Sequence, residues 1–313
     1  MTLALITHPA CLNHTTPPGH PERVERLEAV NAALAAPVFD AVLRVDAPIC
    51  SDAHILLAHP QSHIDGIRAA APQTGFRSLD PDTYMSPGSL EAALRAVGGN
   101  ILAVDMVMER KVQNAFVAMR PPGHHAEKTT PMGFCLFGNV SIAAKYALEH
   151  HGLSRVAIVD FDVHHGNGTQ DLVWDDARIA FASTHQMPLY PGTGSVDETG
   201  AHGNILNVPL SPGSGGQQFR QKMRDEVLPF ITAHQPEMLF ISAGFDAHRD
   251  DPLANLNLVE DDFAWATQQI CDIAGTTAEG RLVSTLEGGY DLEALAASVA
   301  AHVQVLMEQG HDR

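Results

Sequence analysis

The chain has 313 residues, 45% of them hydrophobic, which is enough for one large α/β domain with a substantial core. A net charge of −18, from 19 basic and 37 acidic residues, disfavours nucleic-acid backbones as partners and tolerates cationic substrates. No apolar run approaches the roughly 18 residues of a membrane span, and MTLALITHPA lacks a signal peptide's basic flank and cleavage site; no membrane partner and a cytoplasmic location are expected.

In chain order, the apolar run LALITH near Leu3 predicts a first buried strand, and 21–36 a helix. Residues 55–86, including Asp82, read as a loop at a substrate rim. A long helix is expected over 89–109, then a strand near Ala115 that ends in RPPGHHAE, then a helix over 139–150. Strands follow at RVAIVDFD from Arg155 and at RIAFASTH near Ile179, with a helix at 216–234. MLFISAGFD near Leu239 gives another strand, 259–277 a helix, RLVSTLEGGYD near Leu282 a last strand and 292–309 a last helix. Alternation of buried strands with amphipathic helices predicts an open, doubly wound, mostly parallel sheet flanked by helices. No linker, repeat or low-complexity tract divides the sequence, so one domain over 1–313 is expected.

In such a sheet, ligands bind at the carboxyl ends of the strands, where strand order reverses. The run DFDVHHGNGTQ places Asp160, Asp162 and His164 at alternate positions, on one side of the chain for as long as it stays extended. Alone, this stretch also reads as a turn, because Asp starts turns and Gly166-Asn167-Gly168 is a turn signal. The other strand ends tip the balance: His124 and His125 follow one strand, Asp246 another and Tyr290 a third. Cys11, Cys50, Cys135 and Cys271 form no CxxC, so neither a disulfide framework nor a thiolate zinc site is expected, and any metal must use His and carboxylate. Asp162, His164 and Asp246 make a workable set of three zinc ligands with a position left open for water and substrate. His124 and His125 suit general acid/base work near neutral pH, with Asp160 and Asn167 available to fix their ring tautomers. Tyr290, after two glycines, suits an oxyanion donor.

Taken together, HPERVERL, RPPGHHAE, GFC, DFDVHHGNGTQ, STH, PGTG, SAGFDAHRDDP and LEGGY resemble the zinc-dependent histone deacetylase family. The match is to its class II-like branch, with the bacterial amidohydrolases, and runs nearly the whole length in order. The resemblance implies an arginase-deacetylase fold, with zinc on Asp162, His164 and Asp246. It makes His125 the general base, His124 its companion paired with Asp160, and Tyr290 the residue that polarises the scissile carbonyl. It further implies a channel for an acyl-lysine side chain lined by Gly133, Phe134 and Tyr190, with Leu253 at the rim. Potassium near the zinc would draw on the side chains of Asp160 and Ser183 and the backbone carbonyls of Asp162, His164 and Thr184. Relatives are often dimers or tetramers, so a homo-oligomer is a further expectation.

Two positions depart from the pattern of many relatives. Asn167 stands where the class I branch has an aspartate, so an imidazolium at His125 is less stabilised; Tyr190 replaces a phenylalanine and makes the channel wall more polar. The expected activity is hydrolysis of acyl-lysine in proteins or peptides, with acetylpolyamines and other small acylated amines as the alternative; the apolar Leu253 weighs against polyamines. A binuclear manganese ureohydrolase is disfavoured because Gly166 and His248 occupy places where bridging carboxylates belong. A non-catalytic acyl-lysine reader is disfavoured because the base and the tyrosine are both present.

Overall fold

Runs such as LALIT, NAFV and VAIVD are apolar at all but one terminal position, so each must be covered on both faces, and parallel strands between helices are the arrangement that does this. A computed structural model of the chain describes residues 3–309. The main strands are β1 (Leu3–Thr7), β2 (Leu43–Asp46), β5 (Asn114–Val117), β6 (Val156–Asp160), β7 (Ile179–Gln186), β8 (Ile205–Leu210), β9 (Leu239–Ala243) and β10 (Leu282–Leu286). They form one sheet in the order β2-β1-β5-β10-β9-β6-β7-β8, parallel throughout. A two-residue ladder, β3 (Arg77–Ser78) with β4 (Tyr84–Met85), stands apart from it.

The helices are α1 (Val24–Ala33), α2 (Asp52–Ile55), α3 (Gln61–Ala70), α4 (Ser89–Met108), α5 (Asn139–His151), α6 (Asn167–Val173), α7 (Gly216–Lys222), α8 (Leu228–His234), α9 (Glu260–Thr277) and α10 (Leu292–Gln309). One helical group joins α1, α9 and α10, and another joins α4 and α5. From β6 the chain moves outward to β7, whereas from β9 it moves the other way to β10. Strand order therefore reverses between β6 and β9, and a crevice opens there at their carboxyl ends.

Several elements differ from the sequence expectation. Both β2 and β8 are sheet edges: β2 is largely exposed and carries charge, and β8 contains Pro209, a residue that reads as a strand breaker but is tolerated on an edge. The helix expected at 216–234 is interrupted by a π-helical turn over Met223–Val227, just before Pro229. The rim loop expected at 55–86 contains α3, which buries His63, Ile64 and Ile67; within this span, Pro81, Asp82 and Tyr84 reach the cleft described below.

Candidate active site

The metal-ligand candidates come together through turns rather than through an extended strand. β6 ends at Asp160, whose Oδ1 accepts the Asp162 N–H at 3.0 Å, and Asp162 Oδ1 in turn accepts the His164 N–H at 2.9 Å. These successive side-chain turns, favoured by Asp, correct the expectation that alternation along an extended chain aligns the three residues. Asp246 arrives from the end of β9, where its Oδ1 accepts the Val163 N–H at 2.8 Å and so ties the two strand ends together. His164 Nδ1 lies 3.2 Å from Asp162 Oδ1 and 3.1 Å from Asp246 Oδ2. All three side chains are buried, and one donor atom from each falls within 4.8 Å of the others. Gly288 closes the floor: its N–H donates to Asp162 Oδ2 at 2.8 Å, and a Cβ there would sit 2.2 Å from Asp246 Oδ2.

This pocket is built for positive charge. Burial opposes a charged imidazole at His164, but Asp162 and Asp246 outweigh it and hold the ring up at about 10. Beside it, His124 Nδ1 lies 3.0 Å from Asp160 Oδ2, and Asp162 and Asp160 raise its pKa well above the ordinary value against the same burial. The His125 ring is 4.0 Å from that of His124, centroid to centroid, and its Nδ1 lies 2.7 Å from Asn167 Oδ1. Burial, then the neighbouring His124 and His164, push His125 well below the usual imidazole range. Two histidines side by side are thus driven apart, one held charged and the other neutral. The turn carrying them is anchored from behind by Glu287, whose Oε2 accepts the N–H groups of Gly123 at 2.7 Å and His124 at 3.2 Å.

Above these groups lies a cleft of ≈ 550 Å³ lined by His125, His164, Phe134, Tyr190, Leu253 and Tyr290. Gly133 lines it too, at φ +55°, and a Cβ there would meet the His125 ring at 2.4 Å. Phe134 also has a positive φ, +69°, a conformation that costs a non-glycine residue of order 1–3 kcal/mol and persists where surroundings enforce it. The Phe134 N–H donates to Thr83 Oγ1 at 3.0 Å, and its ring meets Tyr290 edge-on at 5.9 Å. Tyr290 is buried; burial pushes its hydroxyl well above 10, Asp246 and Asp162 add to this, and nearby Arg26 opposes it, so the hydroxyl stays a donor at neutral pH. Asp160 and Ser183 are register partners on β6 and β7, and Thr184 follows. Ser183 Oγ lies 3.0 Å from His185 Nδ1, and Asp160 is engaged by His124.

The histone deacetylase domain profile matches residues 20–306. The chain belongs to the histone deacetylase family. This family member is 42% identical over 309 residues to the protein slr0245 of Synechocystis, covering 97% of this chain and 99% of that one. It is 38% identical over 277 residues to the histone deacetylase-like amidohydrolase of Pseudomonas aeruginosa, covering 87% of this chain and 73% of that protein. The crystal structure of the HDA15 HD domain superposes with a TM-score of 0.93 at 33% identity, covering 98% of this chain and 88% of that one, so the arginase-deacetylase-like fold is shown.

Residues unassigned from sequence support the candidate site. Arg26 donates to Gly289 O at 2.5 Å and Glu287 O at 2.6 Å, and its guanidinium carbon lies 4.9 Å from the Tyr290 ring centroid. Asp251 accepts the Tyr290 N–H at 2.7 Å and the Leu253 N–H at 2.9 Å, linking two loops of the cleft. Arg26 and Asp251 lie inside HPERVERL and SAGFDAHRDDP, but a charged residue's burial, the signal of its role, is invisible in one sequence. Among the described residues a second group, Asp105, His150 and His151, has metal-ligand spacing. It is more exposed, on α4 and α5, with Asp105 Oδ1 already engaged by Tyr146 and His151.

Proposed function

We propose that this chain is a zinc-dependent amidohydrolase that removes acetyl or other short acyl groups from the side-chain amine of lysine in proteins or peptides. The observation that carries the reading is the meeting of two carboxylates with the His164 imidazole, which lines one cleft together with His125 and Tyr290. The donor set suits zinc, with one nitrogen and two carboxylates, all buried, and backbone N–H groups orienting each carboxylate. Asp162, His164 and Asp246 would hold the ion. Bound there, zinc supplies Lewis acidity toward an amide carbonyl and lowers the pKa of a water toward about 7.

The chain's own groups supply the rest. His125, neutral and with Nδ1 turned to the Asn167 carbonyl oxygen, offers Nε2 to take a proton from the attacking water and return it to the leaving amine. Charged His124 keeps that neighbour neutral until the proton arrives. The Tyr290 hydroxyl donates to the oxyanion that develops on the acyl carbon. Phe134 and Tyr190 flank an extended chain entering the cleft, while Gly133 leaves His125 unobstructed. A potassium ion would draw on Asp160 and Ser183, which face each other in register, with carbonyls of Asp162, His164 and Thr184.

Acetylpolyamines are the second reading, because Asp82 supplies a carboxylate in the cleft lining that Leu253 does not. A panel of acyl-lysine peptides and acetylpolyamines, run on zinc-loaded protein with His125→Ala as the blank, separates the two. Turnover of acyl-lysine peptides is expected. No turnover of any acylated amine by fully loaded protein would overturn the proposal.

A further inference from the structure

The replacement of an aspartate by Asn167 removes a negative charge from behind His125, and the structure supplies a carboxylate one residue further out. Asn167 Nδ2 donates to Glu127 Oε1 at 2.8 Å and to Met132 Sδ at 3.3 Å, while Asn167 Oδ1 faces His125 Nδ1. A carboxylate and a thioether sulfur have no hydrogen to give, so they fix which edge of the amide carries the NH₂ group. The opposite edge, turned to His125, is then an oxygen. An oxygen only accepts, so the hydrogen sits on His125 Nδ1, and Nε2 keeps the lone pair.

We propose that Glu127 is a positioning residue for deacylation: it orients the Asn167 amide and thereby selects the basic tautomer of His125. This rests on the assignment of His125 as general base. A flipped amide would present NH₂ to Nδ1 and favour the tautomer with hydrogen on Nε2, which cannot accept the proton. Met132 alone holds the amide weakly, because a thioether is a poor acceptor. The surrounding loop is fastened for this task. The Glu127 N–H donates to Thr130 O at 3.0 Å, closing a turn, and the Lys128 N–H donates to Asp171 Oδ2 on α6 at 2.7 Å. At the start of α6, Gly168 approaches so closely that a Cβ would lie 2.5 Å from Ala126 O.

Four variants of the full, zinc-loaded chain test this on a fluorogenic acetyl-lysine peptide. Glu127→Ala should lower kcat by about tenfold, the smaller end for loss of a partner behind a metal site, with KM and zinc content unchanged. Glu127→Gln, whose carbonyl oxygen can accept the same bond, should stay within about threefold of wild type, the factor left when the bond is kept and only its charge is lost. Asn167→Asp would set a second carboxylate against Glu127 and should be impaired; adding Glu127→Gln, which can donate to it, should restore activity. Histidine-selective ¹⁵N NMR reads the His125 tautomer without turnover, its signal assigned by loss in His125→Gln. Hydrogen on Nδ1 in wild type and Glu127→Gln, but mixed tautomers in Glu127→Ala, is the expected result. The inference is overturned if Glu127→Ala keeps both wild-type kcat and a pure tautomer, or if Glu127→Gln is no better than Glu127→Ala. Absence of turnover in wild type would instead sink the deacylase reading, and the NMR comparison would still judge Glu127.

Discussion

Tyr290→Phe removes one oxygen and leaves the supports of the ring in place. Its backbone N–H still reaches Asp251, Arg26 still lies over its face and Phe134 still meets its edge. None of these contacts uses the hydroxyl, so fold and zinc content should be kept, with stability changed by less than about 1 kcal/mol. What goes is a single donor to the developing oxyanion, in a buried site where water cannot replace it. Loss of one such donor costs on the order of 10²–10³ in kcat, about 2.7–4 kcal/mol of barrier. Because burial holds the hydroxyl protonated well past pH 10, the same loss should appear across the neutral range with no new pH dependence. The assay is steady-state turnover of an acetyl-lysine peptide, with zinc measured on the same sample. A fully loaded variant that turns over within about threefold of wild type would refute the role of Tyr290, since that is far from the 10² of a lost donor.

Glu22 is buried between Arg26, Arg120 and His14, and Arg120 and His14 hold its carboxyl well below the ordinary range although burial opposes this. Glu22→Gln strands two buried guanidiniums, so urea unfolding at pH 7 should show a loss of about 3–5 kcal/mol. The carboxylate's contribution is complete above its unfolded value of 4.5 and disappears as pH falls, so the gap between variant and wild type should narrow below that pH. His302 lies between Thr267 and Ser284, and burial holds its pKa down to about 3. Its neutral form favours folding above 6.5; as pH falls from there toward 3, the unfolded chain gains a proton first and stability drops by up to about 1.4 kcal/mol per pH unit. His302→Gln should flatten the acid limb of stability against pH by that slope.

Where candidate site residues gather at strand ends, their meeting is legible from residue order. Asp162, His164, Asp246, His125 and Tyr290 each follow an apolar run long enough to be a buried strand, and a parallel sheet brings such ends together. The edges are harder, because β2 is exposed and β8 carries a proline, so neither shows the continuous apolar signature of the inner strands. How Asp162 and His164 converge is also hidden, since an alternating pattern fits an extended strand and a chain of Asp turns equally well. The supporting charges are least legible. Arg26 acts on Gly289 across 263 positions and Asn167 on Glu127 across 40, distances over which one sequence holds no pairing signal.

The central claim is a single cation held by two carboxylates and one imidazole at the reversal of strand order. Anomalous diffraction at the zinc edge, from crystals of zinc-loaded protein, tests it most directly. One peak among Asp162, His164 and Asp246, lost in Asp246→Ala, is the predicted result. A peak elsewhere, or two peaks in a shared site, would contradict the account.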